Sequence, residues 1–391
     1  MSLAAPRVVN IKDLRRLARA RLPDAVFDYL DGAADDEVTL KDSERAFREV
    51  YLKPRFAVAT PSCDLSVTVL GHKLDLPFML GPIGYSRMMH PRGELAASAA
   101  AGRHGTAYIL STLSGHPMED VKAQSKGPTF FQLYLAGGRK AAEDGIARAK
   151  AAGYAGLFVT IDTPVAGNRE RDVRNGMKAL MGKNPFAKLP YLPNILAHPR
   201  WLAGFVADGM IRPFPNVVIP GSGPLAAIDV AAALESAQVS WTDLKWIREL
   251  WKGPIVMKGV MTADDARRSV DHGAQGVVVS THAGRQLDSC AGSLRVLPGI
   301  LEAVGAQIDV IFDGGIRRGS DLVKAMAMGA KACLLGRGYA YGMAAAGDAG
   351  IERAIEIFRA DIVRTLKLLG CSSISALDSS YIATRPGFRV D

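Results

Sequence analysis

Cysteine is scarce in this chain of 391 residues, which has only Cys63, Cys290, Cys333 and Cys371, with no CxxC spacing among them. Four scattered thiols do not form the dense framework of a disulfide-rich protein, and they lack the paired spacing of a zinc site. We therefore expect structural thiols, a reducing cytoplasmic compartment and no bound metal.

Long apolar runs and low-complexity tracts are also missing. No stretch of eighteen uninterrupted apolar residues occurs, and residues 1–20 lack the apolar core and cleavage site of a signal peptide. We therefore expect neither a membrane-spanning nor a secreted protein. The contents of 48% hydrophobic and 22% charged residues are ordinary for a globular chain. These values predict one folded domain over residues 1–391.

Acidic residues are outnumbered, and the formal net charge is +9. A basic protein can favour nucleic acid or an anionic membrane as a partner. The cations are spread along the chain, however, and no recognised nucleic-acid-binding motif accompanies them. We therefore expect no nucleic-acid partner.

Eight apolar runs of strand length follow one another from residue 77 onward. They are PFMLGPI (77–83), AYILST (107–112), TFFQLY (129–134), LFVTID (157–162), PIVMKGV (254–260), GVVVST (276–281), DVIFDGG (309–315) and ACLLGR (332–337). Most gaps contain an Ala-rich amphipathic segment with the start and stop signals of a helix. Apolar strands alternating with helices predict an α/β fold, a (β/α)8 TIM barrel.

A doubly wound open sheet is the alternative for this alternation. It is disfavoured because no GxGxxG follows the first run. Polar residues also stand at the carboxyl end of nearly every run, where a barrel has its active site. They are Ser111, Gln132, Tyr134, Thr160, Asp162, Lys258, Ser280, His282, Asp313 and Arg337.

Segment boundaries follow from the same pattern. Residues 1–76 predict an N-terminal helical cap with a hairpin, residues 77–347 the barrel, and residues 348–391 a C-terminal helix and tail. A long insertion over 176–240 follows the fourth strand. Its first part, 176–220, is rich in proline and cations but contains a single acid, Asp208.

Two Gly-Arg loops, DGGIRRGSD (313–321) and LLGRG (334–338), end the last two strands. In barrels these loops often bind phosphate through backbone amides, and Arg317 and Arg337 add positive charge. The alternative is that the glycines merely make tight turns. A ring attached to such a phosphate would lie across the mouth near Gln132, Thr160 and Lys258, an arrangement that suits a flavin.

The stretch STHAGRQLD (280–288) places His282 three residues before Arg285. Arg285 could bind a carboxylate while His282 removes a proton beside it. The alternative is an ordinary solvated loop. Because the histidine follows a barrel strand, the sequence favours the catalytic interpretation.

The segments FFQLY, TIDTPVAGNRERDVRNGM, KGVMTADDARRSVDHGAQGVVVSTHAGRQLD and DGGIRRGSD resemble the FMN-dependent L-2-hydroxy acid dehydrogenase and oxidase family. The resemblance covers essentially the whole chain. It implies that FMN is the cofactor and that His282 is the base. His282 would take the substrate's α-proton, or its hydroxyl proton if a hydride is transferred, and Asp162 would stabilise the imidazolium.

The resemblance also implies roles for other residues. Arg169 and Arg285 would hold the substrate carboxylate, and Tyr29 and Tyr134 would hydrogen-bond the substrate, Tyr134 also in a catalytic role. Lys258 would stabilise reduced flavin. The full set expected to bind the cofactor is Pro82, Ile83, Gly84, Ser111, Gln132, Thr160, Lys258, Ser280, Asp313, Gly314, Gly315, Arg317, Gly336 and Arg337.

The sequence departs from the family pattern at several positions. Thr281 replaces an asparagine, and Ala283 replaces a glycine, so the loop is strained if that position needs positive φ. Ile83 replaces a flavin-facing threonine. Leu113 stands where plant glycolate oxidases carry tryptophan, which leaves room for a larger substrate. L-lactate oxidation to pyruvate is the expected reaction, and (S)-mandelate or another bulky acid is the alternative.

The insertion bears on the electron acceptor. Its aromatic and aliphatic residues, together with Lys183, Lys188, Arg200 and Arg212, predict peripheral contact of 176–220 with the inner face of the cell membrane. A quinone or a cytochrome would then accept the electrons. A self-packed lid on a soluble, peroxide-forming oxidase is the alternative.

Family resemblance also implies a homotetramer. Two further alternatives are a non-redox FMN isomerase and a catalytically inactive binding barrel.

Overall fold

The structure is a computed structural model that describes residues 8–182 and 184–390. Its centre is a closed barrel of eight parallel strands. In chain order they are β1 Phe78–Leu80, β2 Tyr108–Ser111, β3 Thr129–Leu133, β4 Leu157–Thr160, β5 Ile255–Val260, β6 Gly276–Val279, β7 Asp309–Asp313 and β8 Ala332–Leu335. Each strand pairs with the next, and β8 pairs with β1.

The barrel confirms the predicted fold class, since each of the eight apolar runs contains one strand. The open-sheet alternative is wrong, because the pairing of β8 with β1 closes the sheet.

The barrel interior is filled by side chains. Each strand contributes at least one buried residue to a single cluster: Met79, Ile109, Phe130, Phe158, Val256, Val278, Ile311, Ala332 and Leu334. The predicted hairpin, with strands Val67–Val69 and His72–Leu74, adds Leu70 and Leu74 to this cluster at the amino ends of the strands. Because the interior is packed, a site can form only among the loops at the carboxyl ends.

The α-helices of the described residues alternate with the barrel strands or extend the chain at either end. They are α1 Ile11–Arg21, α2 Asp24–Asp31, α3 Val38–Ala46, α4 Ser86–Met89, α5 Gly93–Arg103, α6 Met118–Ala123, α7 Gly138–Ala151, α8 Glu170–Arg174, α9 Met177–Met181, α10 Leu192–Leu196, α11 Pro199–Ala207, α12 Val230–Glu235, α13 Asp243–Leu250, α14 Ala263–Asp271, α15 Ser293–Val304, α16 Gly319–Met328 and α17 Arg337–Leu369.

The N-terminal cap consists of α1 to α3, as the sequence predicts. Asn10 and Asp13 form a capping box at the start of α1, an arrangement that stabilises a helix by about 1 kcal/mol. Helix α1 packs along α17. A break at Ala346 and Gly347 divides α17 and marks the start of the predicted C-terminal helix.

The insertion after β4 is folded. It contains α9 to α12 and a hairpin of strands Phe214–Ile219 and Gly223–Leu225. Its only acid over 176–220, Asp208, accepts a hydrogen bond from Arg87 at 2.9 Å. Lys183, one of the predicted membrane-contacting cations, lies outside the described residues.

The membrane contact expected of the insertion's aromatic residues does not extend to Trp201. Trp201 is 3% exposed, it donates a hydrogen bond to the Met88 carbonyl at 2.7 Å, and it stacks on Phe205. Burial satisfies the indole N–H and removes the ring from solvent, which is the usual fate of a large aromatic side chain that has a partner. Within 8–182 and 184–390, no helix has both the length and the apolarity needed to cross a bilayer.

Candidate active site

A cavity of ≈ 660 Å³ opens at the carboxyl ends of the strands. Its walls come from the strand ends, the cap and the insertion. Most of the predicted site residues line it: Tyr29, Pro82, Ile83, Gly84, Ser111, Gln132, Tyr134, Thr160, Arg169, Lys258, His282, Arg285, Asp313, Gly336 and Arg337. The lining does not include the other predicted site residues, which are Asp162, Ser280, Gly314, Gly315 and Arg317.

His282 and Asp162 form a pair below the cavity. His282 Nδ1 lies 2.9 Å from Asp162 Oδ1, which leaves Nε2 as the ring nitrogen free to meet a substrate. Burial lowers the pKa of His282, and the carboxylate opposes this shift. Burial raises the pKa of Asp162, but the charges of His282 and Lys258 outweigh it and the net shift is downward. Near neutral pH the pair is therefore a neutral imidazole beside a carboxylate, which can accept a proton.

Gly259 allows this pair to form. Its φ is +104°, and a Cβ built there would lie 2.5 Å from Asp162 Cβ. A larger residue would displace the carboxylate. Asp162 Oδ2 is buried without a hydrogen-bond partner. The positive charge of a protonated imidazole would partly offset the free-energy cost of burying this oxygen.

Arg285 and Arg169 are two of the cations that line the cavity. Arg285 Nη1 donates to the carbonyls of Tyr29 at 2.6 Å and Gly32 at 3.0 Å, and its guanidinium lies 4.8 Å from the centre of the Tyr29 ring. Arg169 Nε donates to Asp172 Oδ2 at 3.0 Å. The charge of Arg169 acts on the pKa of both Tyr29 and Arg285, so these three side chains lie near one another in the cavity. Two guanidinium groups and a phenol close together suit a carboxylate.

Tyr134 follows β3 and is 9% exposed. Its backbone N–H donates to Thr112 Oγ1 at 3.0 Å, which fixes the chain at the strand end. Burial and the nearby Asp162 charge raise the pKa of Tyr134. The phenol therefore keeps its proton and can donate a hydrogen bond.

Neighbouring strand ends form the floor of the cavity. Ser111 Oγ donates to Gln132 Oε1 at 3.2 Å, and Gln132 Nε2 donates to Thr160 Oγ1 at 3.0 Å. These three groups orient one another through hydrogen bonds. Together they offer hydrogen-bond donors and acceptors, as the edge of a heterocycle requires.

Lys258 supplies a buried cation beside this floor. Its Nζ lies 3.3 Å from Ser280 Oγ and 3.5 Å from Asp313 Oδ2. Ser280 Oγ in turn donates to Asp313 at 2.8 Å, so Ser280 acts behind the cavity by holding Lys258 and Asp313 together. The donor set therefore fits the ring of a flavin.

Only some of the residues predicted to bind the phosphate line the cavity. Gly336 and Arg337 line it, and a Cβ built on Gly336 would meet open space. Arg337 donates to the carbonyls of Leu30, Gly32 and Ala283 at 2.6–3.0 Å, so it joins the cap to the barrel. Arg317 lies 3.1 Å from Glu44. Phosphate binding by Arg317 stays a prediction.

Gly314 and Gly315 make the turn after β7. Both have positive φ, and a Cβ built on Gly315 would lie 2.2 Å from the Ser43 carbonyl oxygen of the cap. The structure thus supports the tight-turn interpretation for Gly315. Backbone amides of this turn remain candidates for phosphate binding.

Ala283 has a left-handed backbone conformation, with φ 54° and ψ 39°. An alanine is strained in this conformation, whereas a glycine is not. A Cβ in this region costs about 1–2 kcal/mol. We expect Ala283→Gly to stabilise the protein by about 1 kcal/mol and to leave flavin reduction at least as fast. Thermal unfolding of the holoenzyme measures the first effect.

The matched control is Ala147→Gly, in the exposed interior of α7. There glycine should destabilise by about 1 kcal/mol, because the residue is helical. If both substitutions destabilise, the loop conformation at Ala283 carries no strain.

Tyr85 and Asp172 are among the residues of the cavity wall that sequence reasoning missed. Tyr85 Oη donates to the Ala227 carbonyl at 3.0 Å, and its ring contacts Tyr29 edge-on at 5.3 Å. It thus joins the loop after β1 to the cap and the insertion. The spacing of Asp172, three residues after Arg169 on a short helix, was a signal that could have found the pair.

The FMN-dependent dehydrogenase family matches residues 18–384. An (S)-mandelate dehydrogenase of Pseudomonas putida is 38% identical over 95% of this chain and 93% of its own. An L-lactate dehydrogenase of Alcaligenes faecalis is 38% identical over 96% of this chain and 98% of its own. A crystal structure described as that of the monotopic membrane protein (S)-mandelate dehydrogenase covers 97% of this chain and 100% of its own, with TM-score 0.88 and 36% identity. The chain therefore belongs to the FMN-dependent 2-hydroxy acid dehydrogenase family, and FMN is its cofactor.

Proposed function

We propose that the protein oxidises an L-2-hydroxy acid to the 2-keto acid, with His282 as the base. The observation that carries this proposal is the neutral His282 imidazole, which is held by Asp162 in the same cavity as two arginines. Oxidation removes two electrons and two protons from the substrate. His282 Nε2 accepts one proton, and FMN, when bound, would supply the acceptor for the electron pair and the second proton.

The other residues position the substrate. Arg285 and Arg169 bind the carboxylate, and the phenols of Tyr29 and Tyr134 donate hydrogen bonds to the substrate oxygens. Because the carboxylate is held on one side of His282, only one enantiomer presents its α-carbon to the base. Lys258 lies where it stabilises negative charge on the ring of the cofactor.

L-lactate is the first substrate candidate, because relatives over almost the whole chain are named L-lactate dehydrogenase. (S)-mandelate is the second candidate, and a specific feature favours it. The cavity wall includes several apolar side chains, among them Leu113, Met177, Met181 and Leu234. Such a wall binds a phenyl group better than a methyl group, by about 25 cal/mol for each Å² of apolar surface buried.

The test is anaerobic mixing of the purified flavoprotein with L-lactate, (S)-mandelate and their enantiomers. We expect bleaching of the flavin by the L-acids alone. If no 2-hydroxy acid reduces the flavin, the chain is an inactive binding barrel or a non-redox isomerase. If mandelate reduces the flavin faster than lactate does at equal concentration, the second candidate replaces the first.

We also propose that the electrons pass to quinone at the inner face of the cell membrane, with a cytochrome as the alternative acceptor. Support comes from the exposed apolar residues Phe186, Leu189 and Leu196 of the insertion, which are 56–75% exposed. Arg200 is exposed nearby in sequence. Apolar side chains ringed by cations suit a shallow contact with anionic lipid.

This proposal predicts that Phe186→Ser with Leu189→Ser abolishes flotation with anionic liposomes, because the anchor loses its exposed apolar area. Leu368→Ser removes an equally exposed leucine, 68% exposed, from α17 and is the matched control. Quinone and oxygen are compared as acceptors of the wild type. Equal flotation of all variants, together with peroxide formation as fast as quinone reduction, would instead indicate a soluble oxidase.

The homotetramer and the single domain over residues 1–391 are retained as proposals from the family resemblance. Light scattering on the eluting protein measures the first. Limited proteolysis tests the second, since one domain predicts no stable fragments.

A further inference from the structure

Arg171, on α8, contacts three carboxylates of the N-terminal cap. Its Nη1 lies 3.1 Å from Asp31 Oδ2 and 3.7 Å from Asp28 Oδ1, and its Nη2 donates to Glu37 Oε2 at 2.5 Å. These acids lie on α2 and the loop that follows it. One guanidinium therefore joins two segments that are far apart in the chain.

The cap side of this contact is rigid. Asp31 is 6% exposed and accepts hydrogen bonds from Arg15 on α1 and from Tyr341 on α17. These bonds and the nearby positive charges outweigh burial and lower the pKa of Asp31 to about 2. Asp31 is thus a fixed anion, and Arg171 binds to the same carboxylate.

Helix α8, in contrast, is not anchored by side chains buried in the core. This helix has only five residues, and none of them is buried. Its position therefore depends on polar contacts with the cap. Besides Arg171, these are Asn175 to Asp28 and a pair of bonds between Asn168 and Asp35, both at 2.9 Å.

Both segments carry residues of the substrate site. Tyr29 lies on α2 between Asp28 and Asp31, and Arg169 immediately precedes α8. The distance between the phenol and this guanidinium is therefore set by how α2 and α8 are held together. A displacement of about 1 Å at such a site can reduce the rate about 100-fold.

We propose that Arg171 is a positioning residue that holds Arg169 opposite Tyr29 for carboxylate binding. This rests on the proposed function, because it assumes that the bound group is a carboxylate. An isolated exposed ion pair contributes little. Here, however, one guanidinium is shared by Asp28, Asp31 and Glu37, so its loss removes three attractions between α8 and the cap at once, although Asp31 keeps its bonds to Arg15.

The experiment compares Arg171→Gln with Arg174→Gln in the FMN-loaded protein. Both remove one cation from α8, but Arg174 is 72% exposed and pairs only within the helix, with Glu170. We expect Arg171→Gln to raise KM for the hydroxy acid by about 10- to 100-fold, with kcat changed much less, and Arg174→Gln to leave both near wild type. Arg171→Lys should restore part of the loss, since it returns the charge without the fork.

A second readout is independent of turnover. Amide hydrogen exchange over residues 168–175 should accelerate in Arg171→Gln and stay unchanged in Arg174→Gln. Combining Arg171→Gln with Arg169→Met should cost less than the sum of the two single effects on KM, because Arg171 acts through Arg169.

The outcomes separate the two proposals. If exchange accelerates in Arg171→Gln but no 2-hydroxy acid reduces the flavin of the wild type, the positioning role stands and the proposed function fails. If the wild type is active, but KM and exchange are the same in the two glutamine variants or the effects of Arg171 and Arg169 are additive, the positioning role is wrong.

Discussion

Replacing His282 with glutamine is expected to reduce the rate of flavin reduction by about 10²- to 10⁴-fold while FMN stays bound. The imidazole lies 2.9 Å from Asp162 and lines the cavity, and it is the only neutral base that the described residues place beside Arg285 there. Glutamine has a similar length and can still hydrogen-bond Asp162, but it cannot accept a proton. Stopped-flow reduction under anaerobic conditions measures the rate, and the flavin spectrum measures occupancy.

The wild-type pH profile is a second part of this test. Burial lowers the pKa of His282 below the ordinary 6.5, and a base works only when it is unprotonated. The rate should therefore be constant above pH 6.5 and fall only as the pH drops through the lowered value. Asp162→Asn should move this fall in rate to still lower pH, because the carboxylate charge that stabilises the protonated imidazole is lost. A glutamine variant within about tenfold of wild type would show that His282 is not the base.

Replacing Arg285 with methionine is expected to have two effects. Substrate binding should weaken by about 2–5 kcal/mol, because a buried, hydrogen-bonded cation is removed from the carboxylate end. The fold should also lose stability by about 1–3 kcal/mol, because the Tyr29 carbonyl loses this donor, while the Gly32 carbonyl keeps its bond from Arg337. KM and thermal unfolding measure the two effects separately.

Arg285→Lys is the control for charge. Lysine keeps the cation but cannot donate to two carbonyls and a carboxylate at once, so we expect partial recovery of substrate binding and little recovery of stability. An unchanged melting temperature in the methionine variant would show that the cap does not depend on Arg285. An unchanged KM would place the carboxylate elsewhere in the cavity.

The barrel was predictable from the sequence alone. Each apolar run is long enough for one buried strand, and the helical gaps leave a parallel sheet as the simplest arrangement. Because the carboxyl ends of parallel barrel strands meet at one mouth, residues such as Gln132, Thr160 and Lys258 were expected together before any contact was known. For Ala283, an alanine at a glycine position, the sequence left open whether φ is positive, and the structure gives φ 54°.

Other features were decided only by tertiary structure. The sequence composition of the insertion does not say which side of a short helix faces the protein, so its aromatic residues were expected at a membrane, but Trp201 is buried. Arg337 and Arg285 were expected to bind ligands, yet both also hold carbonyls of the cap.

The contact of Arg171 with Asp31 is of the same kind, since the two residues are 140 positions apart in the chain. Local sequence patterns determine where a strand or helix forms, because propensity and hydrophobic periodicity act over a few residues. The partner of a long polar side chain depends on which distant segment packing brings within about 3 Å, and no local pattern contains that information. For this protein, the sequence determined the barrel and the chemistry at its mouth, and packing of the cap and insertion decided how that chemistry is held.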